Sequence, residues 1–390
     1  MTATHMTDGT TTTVGLHLAF ELGEGEWKLT FTVGHGQAPR LRTIGARDVV
    51  VLQAEIAKAK QRFGLRADAA VVSCYEAGRD GFWLHRYLTA HGVSNVIVDS
   101  SSIEVNRRKR RAKTDRLDGG KLVAMLLRYH GGEAKVWSVV RVPGVNEEDQ
   151  RQLSRELLAL KDERTRHVNR IKALLVSQGL AVEVDDQFLE RLPELRQWDG
   201  SAVGAELQAR LRREFARWQF VHRQVLDLEG ERRRRVGEET TVPAEQVRSL
   251  LGLRGVGLNG SWLLVRELFG WRKPRNRREL AALVGLTPTP YQSGCSAREQ
   301  GISKAGNRRL RRLLVELAWG WLRWQPTSGL TRWYEARFGR GRRSRKVGIV
   351  ALARKLLVAF WRYLERGEVP EGALLCAWQT KIGRRPKVAG

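Results

Sequence analysis

Two aspartates follow the most basic stretch of the chain. The stretch holds six cations, which are Arg107, Arg108, Lys109, Arg110, Arg111 and Lys113, and Asp115 and Asp118 come directly after it. A separation of three residues places both carboxylates on one face of a helix, where like charges repel unless a cation lies between them. Carboxylate oxygens suit Mg²⁺, and a polyanion attracted by the basic stretch would meet the metal there. The pattern therefore predicts metal-assisted phosphodiester chemistry, against the alternative of a solvated helix start.

A third carboxylate, Glu76, ends a stretch that is predicted to be a buried strand. Ligands of open α/β sheets usually bind at the carboxyl ends of the strands. Considered alone, Glu76 is better explained as a surface acid paired with Arg79. Together with Asp115 and Asp118, which begin a helix after the next strand, it predicts a Mg²⁺ site.

A possible nucleophile lies in the C-terminal third of the chain. Ser293 is preceded by two prolines and followed by Gly294, so its loop is constrained. A serine hydroxyl attacks phosphorus only when a base or a metal assists the loss of its proton, and guanidinium groups can stabilise the charge of the transition state. Ser296 and Ser303 remain alternatives. Predicted phosphate contacts follow at Arg298, Lys304, Asn307, Arg308, Arg309, Arg311 and Arg312.

The charge of the chain is strongly positive and unevenly distributed. The formal net charge is +27, and residues 241–390 contribute +21 of it. Such a field attracts phosphate backbones without reading their sequence, so we expect a nucleic-acid partner and a steep dependence of affinity on salt. No apolar stretch reaches the roughly 18 uncharged residues that a spanning helix requires, so no membrane association is expected.

The cysteine content and the N-terminus indicate the compartment. The three cysteines, Cys74, Cys295 and Cys376, are odd in number and widely separated, which argues against a disulfide framework and a structural zinc site. The N-terminal residues are polar and rich in threonine, so no signal peptide is expected. A reducing cytoplasm is therefore the predicted location.

The N-terminal third predicts an α/β domain. Residues 12–20 and 27–33 are expected to be strands joined by a short acidic turn, and residues 93–98 a buried strand. Further segments predict a helix over 48–63, a strand over 69–74 and a helix over 82–91. The expected architecture is a sheet with an antiparallel start followed by parallel βα units.

The rest of the chain predicts helices. Apolar residues in residues 148–235 follow a spacing of four and three, which predicts two long helices in an antiparallel coiled coil. Beyond Thr241, short helices alternate with glycine-rich turns. One turn, with Gly255 and Gly257 before a predicted helix, resembles a helix-hairpin-helix turn whose backbone N–H groups bind phosphate; an ordinary helix connection is the alternative.

Taken together, these motifs resemble bacterial insertion-sequence transposases related to the Piv-type DNA invertases. The resemblance covers residues 12–365. The matching motifs are Tyr75-Glu76-Ala77-Gly78, Lys113-Thr114-Asp115-Arg116-Leu117-Asp118, Gly255-Val256-Gly257, Gly285-Leu286-Thr287-Pro288 with Ser293-Gly294, and Ile302-Ser303-Lys304-Ala305-Gly306-Asn307-Arg308-Arg309-Leu310-Arg311. Five motifs in the order of the family are more specific than any one of them.

The resemblance implies a domain organisation and an activity. It implies a RuvC-like domain of RNase H fold over 12–145, a coiled-coil region over 146–240, a serine transposase domain over 241–370 and a basic tail over 371–390. The activity is DNA recombination guided by a noncoding RNA that pairs with donor and target DNA. Ser293 would attack DNA, Glu76, Asp115 and Asp118 would hold Mg²⁺, and the protein would act as a homodimer or homotetramer.

One position departs from the family pattern. The first aspartate of the family falls on the opening strand, where this sequence has His17. A neutral imidazole removes a charge and replaces a hard oxygen ligand by nitrogen. His17 is retained as a candidate metal ligand. Glu21 lies on the same strand face but about 13 Å further along, at about 3.3 Å per residue, so it is not expected to substitute unless the strand ends or bulges.

Two other functions are compatible with these residues. The first is a metal-dependent junction nuclease in which water attacks and Ser293 only binds phosphate. The second is a nucleic-acid-binding protein with impaired catalysis, because His17 interrupts the acidic set.

Overall fold

A computed structural model describes residues 15–103, 115–293, 296–339 and 341–383. The chain divides into two compact units, Met1–Val142 and Pro143–Gly390, and each is treated separately below. Some of the predicted site residues lie outside the described residues, namely Arg107, Arg108, Lys109, Arg110, Arg111 and Lys113, and so does Gly294.

The first unit is built on a five-stranded mixed sheet. Its strands are β1 (Leu16–Leu22), β2 (Glu26–Thr32), β3 (Arg40–Gly45), β4 (Val71–Glu76) and β5 (Val93–Val98), in the spatial order β3-β2-β1-β4-β5. The first three strands pair antiparallel, and β4 and β5 extend the sheet in parallel with β1. The predicted antiparallel start with parallel βα units is therefore confirmed.

Strand β3 is absent from the sequence prediction. Its residues are largely polar, and Arg40 at its start is buried although arginine is usually exposed. The Arg40 guanidinium donates to the Glu55 carboxylate at 2.6 Å, which compensates for the burial of both charges. Only the tertiary partner makes this strand recognisable.

Helices cover both faces of the sheet. They are α1 (Val49–Arg62), α2 (Trp83–Ala90) and α3 (Asp115–His130). The Asp48 carboxylate accepts the Val51 N–H at 2.9 Å and so caps α1 where the sequence predicted a helix start. Apolar side chains of α1 and α2 pack with one face of β1, and those of α3 pack with the other.

The second unit is mainly helical. Its helices are α4 (Val145–Asp149), α5 (Gln152–Val176), α6 (Phe188–Arg191), α7 (Ala205–Glu238), α8 (Val242–Leu251), α9 (Leu258–Leu264), α10 (Arg277–Leu283), α11 (Arg308–Trp324), α12 (Gly329–Phe338), α13 (Arg342–Arg366) and α14 (Gln379–Ile382). A two-stranded hairpin, β6 (Pro288–Ser293) and β7 (Ser296–Ile302), lies between α10 and α11. No helix of the described ranges is long and apolar enough to cross a bilayer.

The two long helices α5 and α7 run antiparallel. The Lys161 ammonium lies 2.6 Å from the Glu229 carboxylate, and the His167 ring lies 2.6 Å from the Glu214 carboxylate. Residue numbers therefore increase along α5 while those of its partners on α7 decrease. Their apolar residues share one cluster with α6. The antiparallel pairing agrees with the sequence, while coiled-coil packing as such stays a prediction.

Residues 371–383 pack onto the C-terminal helices. The Lys381 ammonium donates to the backbone carbonyls of Leu251, Leu253 and Val256 at 2.5, 2.7 and 2.9 Å. Gln325 joins the same region to α11, because its side-chain amide donates to the Leu374 carbonyl at 2.9 Å. This part of the predicted tail therefore stabilises the turn after α8, and residues 384–390 lie outside the described structure.

Two adjacent glycines of α3 give a matched test of its packing. A Cβ on Gly119 would lie 2.4 Å from the Thr30 hydroxyl of β2, whereas a Cβ on Gly120 would meet open space. We expect Gly119→Ala to lower the free energy of unfolding by about 1–3 kcal/mol through overpacking. Gly120→Ala should be neutral or stabilising by up to about 1 kcal/mol, since alanine favours helix. Urea unfolding measures both, and equal effects would contradict the close approach of α3 to β2.

Candidate functional site

The face of the sheet beneath α3 carries the predicted acidic site. Ala19 of β1 and Cys74 of β4 belong to the apolar cluster formed with α3. Side chains two residues apart on a strand share a face, so Glu21 and Glu76 lie on this face as well. Glu76 is exposed and is the last residue of β4, as predicted. The carboxyl edge of this face therefore contains two acids on neighbouring strands.

The strand register places these two acids side by side. Parallel pairing of β1 with β4 runs from Leu16 opposite Val71 to Phe20 opposite Tyr75. Continuing it by one residue puts Glu21 beside Glu76 on strands that lie about 4.8 Å apart. Sequence reasoning missed this neighbour of Glu76, because the register between non-consecutive strands cannot be read from spacing along the chain.

Helix α3 begins near the same edge. Gly119, which directly follows Asp118, approaches Thr30, and Thr30 pairs with Ala19 in the sheet. At the other end of α3, the His130 ring contacts His17 near the beginning of β1. The helix therefore runs opposite to β1. Its first turn, with the backbone of Asp115 and Asp118, lies toward the carboxyl edge, and the side chains of residues 115–118 are not described.

His17 lies at the opposite end of this face. Its imidazole is only 6% exposed, and its Nε2 atom lies 3.3 Å from Nδ1 of His130. His17 pairs with Val72, four residues before Glu76, which corresponds to about 13 Å along the strand. His130 follows Asp118 by twelve residues, or about 18 Å of helix. The structure thus separates His17 from Glu76 along the strand, and the role of His17 as a metal ligand stays a prediction.

Burial controls the protonation of His17. Desolvation lowers the pKa of His17 below its ordinary value, and the neighbouring His130 lowers it further, whereas a backbone hydrogen bond to Gly15 opposes the shift. The neutral imidazole is therefore the favoured form. The buried His17 ring therefore contacts the exposed His130 ring as a neutral imidazole.

The donor set at the carboxyl edge matches the chemistry of Mg²⁺. Glu21 and Glu76 offer carboxylate oxygens, which hard cations prefer, and the backbone of Asp115 and Asp118 forms the first turn of α3. Among the side chains that the structure describes, no group of three or more histidines, cysteines and acids forms a metal cluster. Arg79, the alternative partner of Glu76, instead lies 3.2 Å from Glu24 and 3.9 Å from Asp80.

Ser293 lies at the tip of the β6–β7 hairpin in the second unit. It is the last residue of β6 and pairs with Ser296, so the loop predicted from the sequence is in fact a strand end. Ser303 follows β7 at the base of the hairpin, where its N–H donates to the Thr287 carbonyl at 2.8 Å. About 23 Å of strand separates Ser303 from Ser296. The tip therefore carries two candidate nucleophiles, and the base carries the third.

Backbone contacts fix the base of the hairpin. Gly285 and Gly306 adopt positive φ angles of 69° and 84°, and a Cβ on either would collide with backbone carbonyls. The Arg311 guanidinium donates to the Val284 carbonyl at 3.0 Å and to the Ala305 carbonyl at 3.4 Å. Arg311 thus joins the hairpin to α11, and its predicted phosphate contact stays a prediction.

The start of α11 carries the other predicted phosphate ligands. The Asn307 side chain caps the helix, since its oxygen accepts the N–H groups of Arg309 and Leu310 at 3.0 and 3.2 Å. Arg308 and Arg309 are exposed beside this helix N-terminus. Arg312 pairs with Glu316 at 3.0 Å. The first turn of α11 therefore combines backbone donors with cationic side chains, as anion-binding sites do.

Two further predicted contacts flank this turn. Lys304 is exposed and has a positive φ of 57°, an uncommon conformation for a residue with a side chain. Arg298 lies in β7 opposite Tyr291 of β6. Both residues belong to the hairpin or its base, so the predicted phosphate ligands group around one element of the second unit.

A tryptophan that sequence reasoning missed, Trp324 at the end of α11, packs against the turn between α8 and α9. A Cβ on Gly255 would lie 2.8 Å from Cβ of Trp324, so only glycine permits this approach. The Trp324 side chain is 43% exposed, and the guanidinium carbons of Arg254 and Arg323 lie 5.8 and 5.2 Å from its ring centroid. An exposed indole among cations and glycine turns is typical of nucleic-acid surfaces. Gly257 precedes α9 in the same turn.

Comparison with known proteins identifies the class. Residues 247–332, which include the turn after α8, the hairpin and α11, match the transposase IS116/IS110/IS902 family. The chain is 41% identical over 374 residues to y4rJ of Sinorhizobium fredii (strain NBRC 101917 / NGR234), a protein named as a transposase. That alignment covers 92% of this chain and 94% of the relative.

A second similarity supports the same assignment. The chain is 29% identical over 216 residues to the transposase for insertion sequence element IS1328 of Yersinia enterocolitica. This alignment covers 54% of the chain and 61% of the relative. The protein belongs to the IS116/IS110/IS902 family of transposases.

The lowered pKa of His17 predicts a pH dependence of stability. Because the folded protein binds this proton less tightly than the unfolded chain, the stabilisation is complete above the ordinary histidine pKa of 6.5 and is lost as pH falls below it. His17→Gln removes this contribution. We therefore expect the free energy of unfolding to fall less for the variant than for the wild type between pH 7.5 and 5, measured by urea unfolding. The exposed His91 provides the control through His91→Gln, and equal slopes for His17→Gln and the wild type would contradict the assignment.

Proposed function

We propose that this protein is the RNA-guided DNA recombinase of an insertion sequence, with Ser293 as nucleophile and a Mg²⁺ site at Glu76, Asp115 and Asp118. The observation that carries the proposal is the similarity to a transposase along 92% of the chain, which spans both the acidic sheet edge and the serine hairpin. Neither element alone is specific, whereas their combination on one basic chain matches phosphodiester chemistry.

The architecture of the two units supports the finer assignment. The mixed sheet with an antiparallel start and helices on both faces supports an RNase H-like, RuvC-like domain in the first unit. The antiparallel α5–α7 pair supports a coiled-coil region. The hairpin with Ser293 supports a serine transposase domain in the second unit, since it lies within the residues that match the transposase family.

The chemistry divides between the hydroxyl and the acids. Oγ of Ser293 forms a bond to phosphorus while the bond from phosphorus to the bridging sugar oxygen breaks, and that oxygen leaves as a hydroxyl after taking a proton. A bound Mg²⁺ would neutralise charge on the scissile phosphate. The phosphoserine ester keeps the energy of the phosphodiester, so rejoining the strand to a new hydroxyl needs no ATP.

The partners follow from charge and from the family. Donor and target DNA and a guide noncoding RNA are the proposed ligands, attracted by the +21 excess of residues 241–390. Exposed Arg308 and Arg309 would contact phosphate, and Trp324 would stack on an unpaired base. A homodimer or homotetramer is proposed because, in the resemblance, acids and serine of different subunits act together.

A strand-exchange assay with guide RNA and both DNA substrates tests the nucleophile. Ser293→Ala should reduce covalent protein–DNA adducts to background, because no other atom replaces Oγ, while nucleic-acid binding stays unchanged. Ser296→Ala and Ser303→Ala are matched controls that should retain adducts. Adducts that persist in Ser293→Ala would move the nucleophile to another serine, and cleaved ends without protein in the wild type would favour the junction nuclease with water as nucleophile.

The salt dependence of binding tests the α11 surface. Arg309→Ala should weaken binding to DNA of any sequence and reduce the slope of log K against log salt by about 0.7–0.9, as expected for one lost phosphate contact. Arg66→Ala makes the same change in net charge in the first unit, where Arg66 pairs with Asp68. Fluorescence anisotropy at several salt concentrations measures both, and an equal loss of slope would mean that only net charge matters.

A further inference from the structure

We infer that Glu21, and not His17, supplies the carboxylate of the opening strand to the metal site. The inference rests on the proposed function, because it completes the site assigned there to Glu76, Asp115 and Asp118. It concerns a position at which this chain departs from the pattern of the family it resembles.

Glu21 and His17 lie at different levels along the sheet. When the parallel register is continued one residue beyond Phe20 and Tyr75, Glu21 lies next to Glu76, whereas His17 pairs with Val72. Neighbouring parallel strands are about 4.8 Å apart, so the Glu21 and Glu76 carboxylates can share a cation. Val72, which lies opposite His17, is four residues from Glu76 along β4. This offset corresponds to about 13 Å of strand, too far for His17 and Glu76 to bind one cation.

The direction of α3 also favours Glu21 over His17. Its first turn lies toward the edge that holds Glu21, because Gly119 packs on Thr30 and the helix ends at the His17–His130 pair. His17 therefore contacts His130 at the far end of the helix. The four-residue separation between His17 and Glu21 along β1 therefore places His17 away from Glu76.

The path of the chain at the end of β1 leaves Glu21 close to the edge of the sheet. Strand β1 ends one residue after Glu21, and the chain turns at Gly23, where a Cβ would lie 2.5 Å from the Glu26 carbonyl. Glu21 is half-buried on the face that it shares with α3. Lys28 pairs with Glu21 across β1 and β2, so positive charge flanks the site on the β2 side. A half-buried acid at a strand end is well placed to bind a cation and still meet a phosphate.

The chemistry of a glutamate side chain suits Mg²⁺ better than that of an imidazole. A glutamate restores the negative charge and the hard oxygen that the imidazole of His17 lacks, and both are features that Mg²⁺ prefers. Placing acids side by side is unfavourable until a cation lies between them. A divalent cation bound between Glu21 and Glu76 would therefore relieve the repulsion between the two carboxylates that bind it.

Mn²⁺ binding to the full-length protein tests the inference without requiring turnover. Glu21→Gln should weaken Mn²⁺ affinity, measured by electron paramagnetic resonance, by at least about tenfold, a loss typical of a disturbed metal site. His17→Gln makes the same amide at the other position and should leave affinity within about twofold. Glu21→Asp keeps the charge and should fall between wild type and Glu21→Gln, and circular dichroism verifies that each variant is folded.

The outcomes separate this inference from the proposed function. Wild-type affinity in Glu21→Gln, or in Glu21→Ala if the amide variant does not fold, would overturn the role of Glu21 while the metal site itself remained. A larger loss in His17→Gln than in Glu21→Gln would return the position to His17. A wild-type protein that binds no Mn²⁺, together with unchanged adducts at Ser293, would remove the metal site and keep the serine mechanism.

Discussion

The hydrogen-bonded register between β1 and β4 is the constraint on which the candidate metal site depends. Continued by one residue, it brings Glu21 beside Glu76, and it places His17 four residues away from that level. Because side chains alternate along a strand, a shift by one residue would move Glu21 to the apolar face formed with α1 and α2. The buried residues on both faces of β1 oppose such a shift, so packing of the core determines which acid reaches the carboxyl edge.

The second unit solves a similar positioning problem with backbone geometry. Two glycines with positive φ and the Arg311 guanidinium hold the base of the β6–β7 hairpin between α10 and α11. A hairpin fixed at its base presents its tip, and Ser293 lies there. The same base leads into the first turn of α11, where Asn307 caps the helix. Serine and proposed phosphate ligands therefore share one supporting element.

Local signals made much of this architecture predictable from the sequence. Strand β5 has the predicted bounds, and Asp48 marks the start of α1 because a capping carboxylate is a local feature. Strand β3 was not predictable, since Arg40 is buried only through its pairing with Glu55. The position of Glu21 near Glu76 is not visible in the sequence, because pairing of β1 with β4, and not distance along one strand, decides which residues are neighbours.

The most direct test of this account is the position of a bound cation. Anomalous scattering from Mn²⁺ in crystals of the full-length protein locates the metal independently of activity. The account predicts one peak, or a close pair of peaks, within about 2.0–2.3 Å of carboxylate oxygens of Glu21 and Glu76 at the start of α3. A peak bound by His17 and His130 at the other end of α3, with none at the carboxyl edge, would contradict it.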